Sequence, residues 1–195
     1  MNLARRVTHF TEDEYLARET VSVTKHEFVN GEIFAMAGAR FRHNVIATSA
    51  AISLGALTRP RGCRVFNSDQ RIAILSTGMF TYADAGVVCG TPRFHGKDPM
   101  SLLNPVLLVE VFSKSTESYD RSEKLAHYRR NPETCEILLI WQSEVRVEHH
   151  RRAGPEEWLV REHTGGAIEL PCLGGVITLD DLYAQVDWSQ PEDEA

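Results

Sequence analysis

Three carboxylates and one lysine in this sequence stand where ionisable groups are expensive or well aimed. Glu110 interrupts the apolar run Leu107-Leu108-Val109-Glu110-Val111-Phe112, and a carboxylate among such neighbours is costly unless it is paired or coordinates a metal. Asp84 precedes a second apolar run, Ala85-Gly86-Val87-Val88, and Glu32 follows an Asn-Gly turn beside apolar residues. Carboxylates gathered from neighbouring strands repel one another unless a cation lies between them, and hard oxygen ligands suit Mg2+ or Mn2+. A divalent ion on two or three carboxylates, with a phosphate completing its shell, polarises a phosphoryl oxygen and lowers the pKa of a bound water. Hydrolysis further calls for a group that orients this water and offsets developing negative charge. Lys124 is the candidate, on a helix that follows the Glu110 strand after a short loop.

Each of these residues also has a plainer reading. Leu108, Glu110 and Phe112 share one face of a strand by alternation, and a strand end can leave a glutamate wet. Lys124 alone reads as a solvated helix lysine, and Asp120 as an N-cap. His43, at a helix start, is open to contact with a phosphate, to ordering a carboxylate, to capping or to facing the core. Ser113, Ser115 and Thr116 read as loop-shaping residues, since no His-acid partner for a nucleophilic serine is evident. His149 and His150, adjacent in an alternating stretch, point to opposite faces, which argues against a paired metal site.

The elements that must position these groups follow from local pattern. TEDEYLARE (11–19) has a threonine N-cap and an acidic first turn, hence a short helix. KHEFVNGEIFAMAG (25–38) alternates about Asn30-Gly31, a hairpin signal because both central residues of a type I′ turn need positive φ. Residues 42–57 form a helix that Arg59-Pro60-Arg61-Gly62 ends, and 63–75 and 81–90 are strands. Residues 105–112 make the most buried strand, a helix runs from about 121 to 130, and 135–142 is a second buried strand. Residues 144–152 and 157–163 form a polar-faced peripheral hairpin, and 176–183 end the fold as a strand or short helix.

At 195 residues, 43% hydrophobic and 25% charged, the chain reads as one globular domain over 1–185 with an acidic, frayed tail over 186–195. No apolar stretch approaches the roughly 20 residues of a membrane span and no apolar signal core opens the chain, so a cytoplasmic protein is expected. Cys63, Cys89, Cys135 and Cys172 lie far apart with no C-x-x-C pair, and reduced, buried thiols are expected. The formal net charge is −6, yet residues 180–195 hold six acids and no Lys or Arg. Residues 40–71 carry six arginines against Asp69 alone, either a phosphate-facing surface or a solvated helix end and loop.

The ordered motifs V-N-G-E-I-F-A-M-A-G-A, R-H-N at 42–44, G-C-R-V-F-N-S-D at 62–69, Y-A-D-A-G-V-V-C-G at 82–90, and N-P-V-L-L-V-E-V-F-S-K-S-T with D-R-S-E-K-L-A-H-Y over 104–128 resemble the Uma-type family of restriction-endonuclease-like proteins. The likeness runs over roughly residues 10–150. It implies the PD-(D/E)XK nuclease fold, a mixed α+β class with a central mixed sheet flanked by helices, and Mg2+-dependent hydrolysis of DNA, with Mn2+ able to substitute. Asp84 matches the aspartate of the PD half-motif, Glu110 the acid of the (D/E)XK half, and Glu32 an acid carried before the first long helix. The lysine slot two residues after Glu110 holds Phe112, and Lys124 matches a lysine displaced to the next helix; Ala83 stands where the half-motif has proline. The catalytic set implied is Asp84, Glu110 and Lys124, with metal on Glu32, Asp84 and Glu110 and nucleic-acid contacts from Arg40, Arg42, His43 and Tyr128. Nucleases of this fold often form homodimers, and the sequence leaves the oligomeric state open. The alternative is a catalytically inactive nucleic-acid-binding or assembly protein that keeps the nuclease fold.

Overall fold

The computed structural model describes residues 9–112 and 120–189. Thr11 opens α1 (Glu12–Val21) with a full capping box, its hydroxyl accepting from the Glu14 N–H while the Glu14 carboxylate takes the Thr11 N–H at 2.7 Å. The hairpin β1 (His26–Val29) and β2 (Glu32–Ala35) turns on Asn30 and Gly31 at φ 51° and 84°, as the Asn-Gly pair requires. Then come α2 (Phe41–Thr58), β3 (Cys63–Asn67), β4 (Arg71–Ile74), β5 (Met79–Tyr82) and β6 (Ala85–Cys89). The stretch expected as one strand over 63–75 is thus two, because Asn67 and Asp69 build a turn in which the Gln70 N–H reaches Asn67 O at 3.1 Å.

The short pair β7 (Phe94–His95) and β8 (Asp98–Leu102) has no strong alternation and was not anticipated. It is followed by β9 (Leu107–Phe112), a π-helical turn over Asp120–Lys124, and α3 (Leu125–Arg130). The side chains of Ser113, Ser115, Thr116 and Asp120 lie outside the described residues. The chain continues through β10 (Glu136–Trp141), β11 (Val147–Arg152), β12 (Trp158–His163), β13 (Ala167–Leu170) and β14 (Gly175–Thr178) to α4 (Leu179–Tyr183). The 176–183 segment is both strand and helix, split where Thr178 caps α4 by accepting from the Asp181 N–H.

Two six-stranded mixed sheets result, ordered β2-β1-β5-β4-β8-β7 and β12-β11-β10-β9-β6-β3, beside the small pair β13-β14. Strand β9 runs parallel to β10, with Leu139 opposite Glu110, and antiparallel to β6. Alternation divides β9: Leu107, Val109 and Val111 pack with Ile46, Ala50 and Leu54 of α2, whereas Leu108 and Phe112 pack with Leu125 and Tyr128 of α3. Glu110 therefore faces α3. The expected peripheral hairpin is β11-β12, which widens the second sheet. The tail expected from 186 begins packed, with Val186 against the α2 core and Trp188 beside Tyr183; residues 190–195 lie outside the described part. Among the described residues no helix is long and apolar enough to cross a membrane.

Two expectations are corrected. The cysteines are not free thiols: Cys63 is bonded to Cys89 directly across the β3-β6 ladder, with Cα atoms 4.1 Å apart, and Cys135 to Cys172. Pairing set by strand register leaves no spacing signature in the chain. Nor do all six arginines of 40–71 lie at the surface, as both readings of that stretch had them. Arg71 is 3% exposed and donates to Asp98 at 2.8 Å, while Arg61 bonds the Leu57 and Gly174 carbonyls.

On the hairpin, His150 is buried between Glu148 at 2.6 Å and the Arg129 guanidinium at 2.6 Å. Burial, then the Arg129 charge, pushes its pKa from 6.5 down to about 4. A histidine held neutral in the fold loses stability as pH falls through its unfolded value, because only the unfolded chain takes up the proton. His150→Gln is expected to remove up to about 3 kcal/mol of the stability loss between pH 6.5 and 4. Urea denaturation at several pH values reads this out; identical pH slopes for both proteins would contradict it.

Candidate active site

The first sheet hands the chain to the second at Ala83-Asp84, between the end of β5 and the start of β6. Ala83 is buried and the Asp84 N–H donates to Val109 O at 3.0 Å, so alanine in place of proline leaves the crossing strand paired. At this seam the Lys124 ammonium, 3% exposed, lies 3.0 Å from Glu110 Oε1, 3.1 Å from Glu27 Oε1 and 3.0 Å from the Tyr82 carbonyl oxygen. The three acceptors come from β9, β1 and β5, so a single cation ties both sheets together. Buried charges need such partners, since each carries a desolvation cost of several kcal/mol.

The π-helical turn that ends at Lys124, a geometry that recurs at functional sites, starts the stretch that sets Lys124 and Tyr128 four residues apart on one face. The Tyr128 hydroxyl donates to the same Oε1 of Glu110. Burial, then the Glu110 carboxylate, holds that phenol well above its ordinary value, so it stays a donor. Tyr128→Phe is therefore expected to lower stability by about 1–3 kcal/mol through the carboxylate it leaves short of a donor; an unchanged denaturation midpoint would contradict this.

Asp84 stands beside this cluster and is more open, its side chain 18% exposed. Its Oδ2 accepts from the Val111 N–H at 2.7 Å, one residue past Glu110, and lies 3.2 Å from Nε2 of His43. His43 reaches it from the first turn of α2, so of the roles left open the geometry shows the ordering of a carboxylate. Burial opposes a charge on His43, but the Asp84 carboxylate outweighs it and raises the pKa above its ordinary value.

The expected residues thus assemble in part. Glu110 and Lys124 are brought together, and Asp84 is tied to the same strand through the Val111 N–H; Phe112, in the lysine slot, is 2% exposed and packed edge-on against Trp141 at 5.1 Å. Glu32 is half-buried on the outer strand β2, opposite Val29, and no hydrogen bond or ion pair among the described residues joins it to the cluster. The acid that the hairpin supplies is Glu27, which also accepts from the Thr81 hydroxyl at 2.5 Å. Tyr128 is fully buried and so cannot be a nucleic-acid contact as placed. Arg40 is exposed, and Arg42 reaches toward the chain end, donating to Asp187 O and stacking over Trp188 at 5.4 Å.

Chemically these are hard oxygen donors where the chain crosses between the two sheets. Among the described residues no three metal-ligating side chains converge tightly enough to cage an ion by themselves. Mg2+ commonly takes only one or two carboxylates and completes its shell with water and substrate phosphate. Asp84 is the carboxylate open to that mode: its side chain is partly exposed, at 18%, and its Oδ1 makes no hydrogen bond among the described residues.

Comparison with known proteins agrees with this architecture. Two uncharacterized proteins of Synechocystis sp. are similar over most of their length: sll1609 is 36% identical over 82% of this chain and 90% of its own, and slr1290 is 32% identical over 88% and 90%. A crystal structure from Anabaena variabilis, described as "a putative nuclease belonging to DUF820", shares the fold with a TM-score of 0.73 at 18% identity, covering 90% of this chain and 98% of that one. Residues 12–180, nearly the whole of the described structure, match the Uma2 family, whose description is "Putative restriction endonuclease", and the chain belongs to that family.

Proposed function

We propose that the protein is a metal-dependent nuclease that hydrolyses phosphodiester bonds of DNA at the Asp84–Glu110–Lys124 cluster. The observation that carries this reading is a lysine ammonium buried 3.0 Å from a strand glutamate, with a partly exposed aspartate that accepts from the N–H of the next residue on that strand, Val111. Family membership supports the reaction class.

Asp84 and Glu110 would hold the ion, which when bound polarises the phosphoryl oxygen and makes its water a stronger nucleophile. The chain's own residues do the rest. Lys124, whose three N–H groups are held by Glu110, Glu27 and the Tyr82 carbonyl, faces as a fixed positive charge the negative charge that accumulates on the pentacovalent phosphorus, the kind of preorganised cation that contributes most when water is excluded. Glu27 and the Tyr82 carbonyl hold Lys124 in place, Tyr128 fixes the Glu110 carboxylate, and His43 with the Val111 N–H fixes that of Asp84.

Supercoiled plasmid incubated with the wild-type chain in Mg2+, Mn2+ or EDTA tests the reaction class. Nicking in either metal, and none in EDTA, is expected. Retention of plasmid with strong salt dependence but no cleavage in any condition would leave a nucleic-acid-binding protein instead.

A further inference from the structure

Between Glu27, which holds Lys124, and His43, which meets Asp84, the chain runs through Phe34-Ala35-Met36-Ala37-Gly38-Ala39-Arg40-Phe41. Seven of these eight residues are exposed and Met36 is half-buried. No acid occurs from residue 33 to residue 68, and the one charge within the segment is Arg40. Contiguous exposed apolar surface of this kind marks interaction sites. The segment is held at both ends: the Met36 N–H donates to Lys25 O at 2.9 Å, and the Ala39 carbonyl accepts from the Asn44 side chain at 3.2 Å. Phe34 sits on β2 directly opposite Glu27, so the two side chains leave the sheet on the same face as cross-strand neighbours. Its side is 46% exposed, and Phe41, the first residue of α2, is 75% exposed. Neither ring stacks on another ring or beneath a cation among the described residues, whereas the exposed Trp188 packs against Tyr183 and under Arg42.

We propose that residues 34–41 form a stacking platform for unpaired nucleotides, which makes single-stranded DNA the preferred substrate; the choice of DNA rests on the nuclease reading above. Every base has a π face, and stacking on aromatic side chains holds single strands without sequence preference. In a duplex those faces are taken up by neighbouring base pairs, so Phe34 and Phe41 have a surface to meet only where a base is unpaired. Negative supercoiling, which favours strand opening, supplies such bases in plasmid. Arg40 adds a positive charge suited to the phosphates that join stacked bases. The position of the segment favours the substrate over a protein partner. It joins the hairpin that carries Glu27 to the helix that carries His43, so a strand lying along it borders the candidate active site.

Fluorescence anisotropy in EDTA, where no cleavage intervenes, tests the platform with a labelled oligonucleotide, the same strand in a duplex, and the same strand carrying abasic sites. Wild type is expected to bind the intact single strand about tenfold or more tighter than either of the others. Phe34→Leu with Phe41→Leu is expected to lose about that factor on the single strand and nothing on the duplex, while Phe34→Tyr with Phe41→Tyr, which keeps both rings, binds as wild type does. Equal affinity for single strand and duplex overturns the proposal. So does a single strand that does not bind, or a leucine pair that binds it as wild type does or loses both forms alike. The nuclease reading fails separately. Single strands bound through the two rings yet left intact in Mg2+ and Mn2+ would keep the platform and refute the nuclease, whereas equal cutting of single strand and duplex would keep the nuclease and refute the preference.

Discussion

Lys124→Met is expected to abolish cleavage and to destabilise the fold by about 3–5 kcal/mol, the usual cost of stripping one partner from a buried ion pair. The reason is the seam between the sheets: without the ammonium, the carboxylates of Glu27 and Glu110, both under 6% exposed, are left facing one another with Thr81 and Tyr128 as donors. The two effects separate. In the triple substitution Lys124→Met, Glu27→Gln and Glu110→Gln the charges vanish together, and neutral replacements of similar volume commonly leave stability near or above its starting level. Stability is expected to return and cleavage is not. Thermal and urea unfolding follow the first effect, plasmid nicking the second; a single Lys124→Met variant as stable as wild type would show that the ammonium does not join the sheets.

Glu110→Gln is expected to cost cleavage roughly 100- to 1,000-fold, on the scale of losing a preorganised electrostatic group, with a smaller loss of stability. Glutamine keeps the length of the side chain and an oxygen able to accept from Tyr128, and Lys124 keeps Glu27 and the Tyr82 carbonyl. Only the charge goes. Activity that falls no further than stability does would reduce Glu110 to a structural anchor of β9.

How much of this was legible in the chain differs residue by residue. Glu110 was conspicuous because its five neighbours are apolar and all buried, so the carboxylate needed a reason. Lys124 and Tyr128 could be paired by helical spacing alone. Glu27 could not. In His26-Glu27-Phe28-Val29 it looks like the polar half of an ordinary hairpin, and it turns inward only because β1 lies between β2 and β5, where Thr81 and Lys124 meet it. Glu32, five residues on, has the same chemistry but stands on the outer strand. The difference is sheet order, and sheet order is a long-range property.

The same limit explains the other corrections. Arg71 finds Asp98 and Ser101 because β4 and β8 run side by side, 27 and 30 residues apart in sequence. Nothing near Arg71 announces a buried partner, so it was grouped with the surface arginines before it. Cys63 and Cys89 meet through register in the same way. Local signals fared better: the Thr11 cap, the Asn30-Gly31 turn and the stop after α2 each rest on one residue's backbone chemistry, which reads the same in any context.

Asp84→Asn gives the most direct test of the central claim. Asparagine retains an oxygen for the Val111 N–H and the contact with His43, so the fold should be unchanged while the charge that would hold a divalent cation is lost. Initial rates of plasmid nicking by this variant and by wild type, in the same Mg2+ buffer and with matching circular dichroism, are to be compared. A drop of roughly 100-fold or more is the result expected of a metal-dependent nuclease working at this seam. Equal rates would mean that any cleavage arises elsewhere, and that the Asp84–Glu110–Lys124 cluster serves to join two sheets.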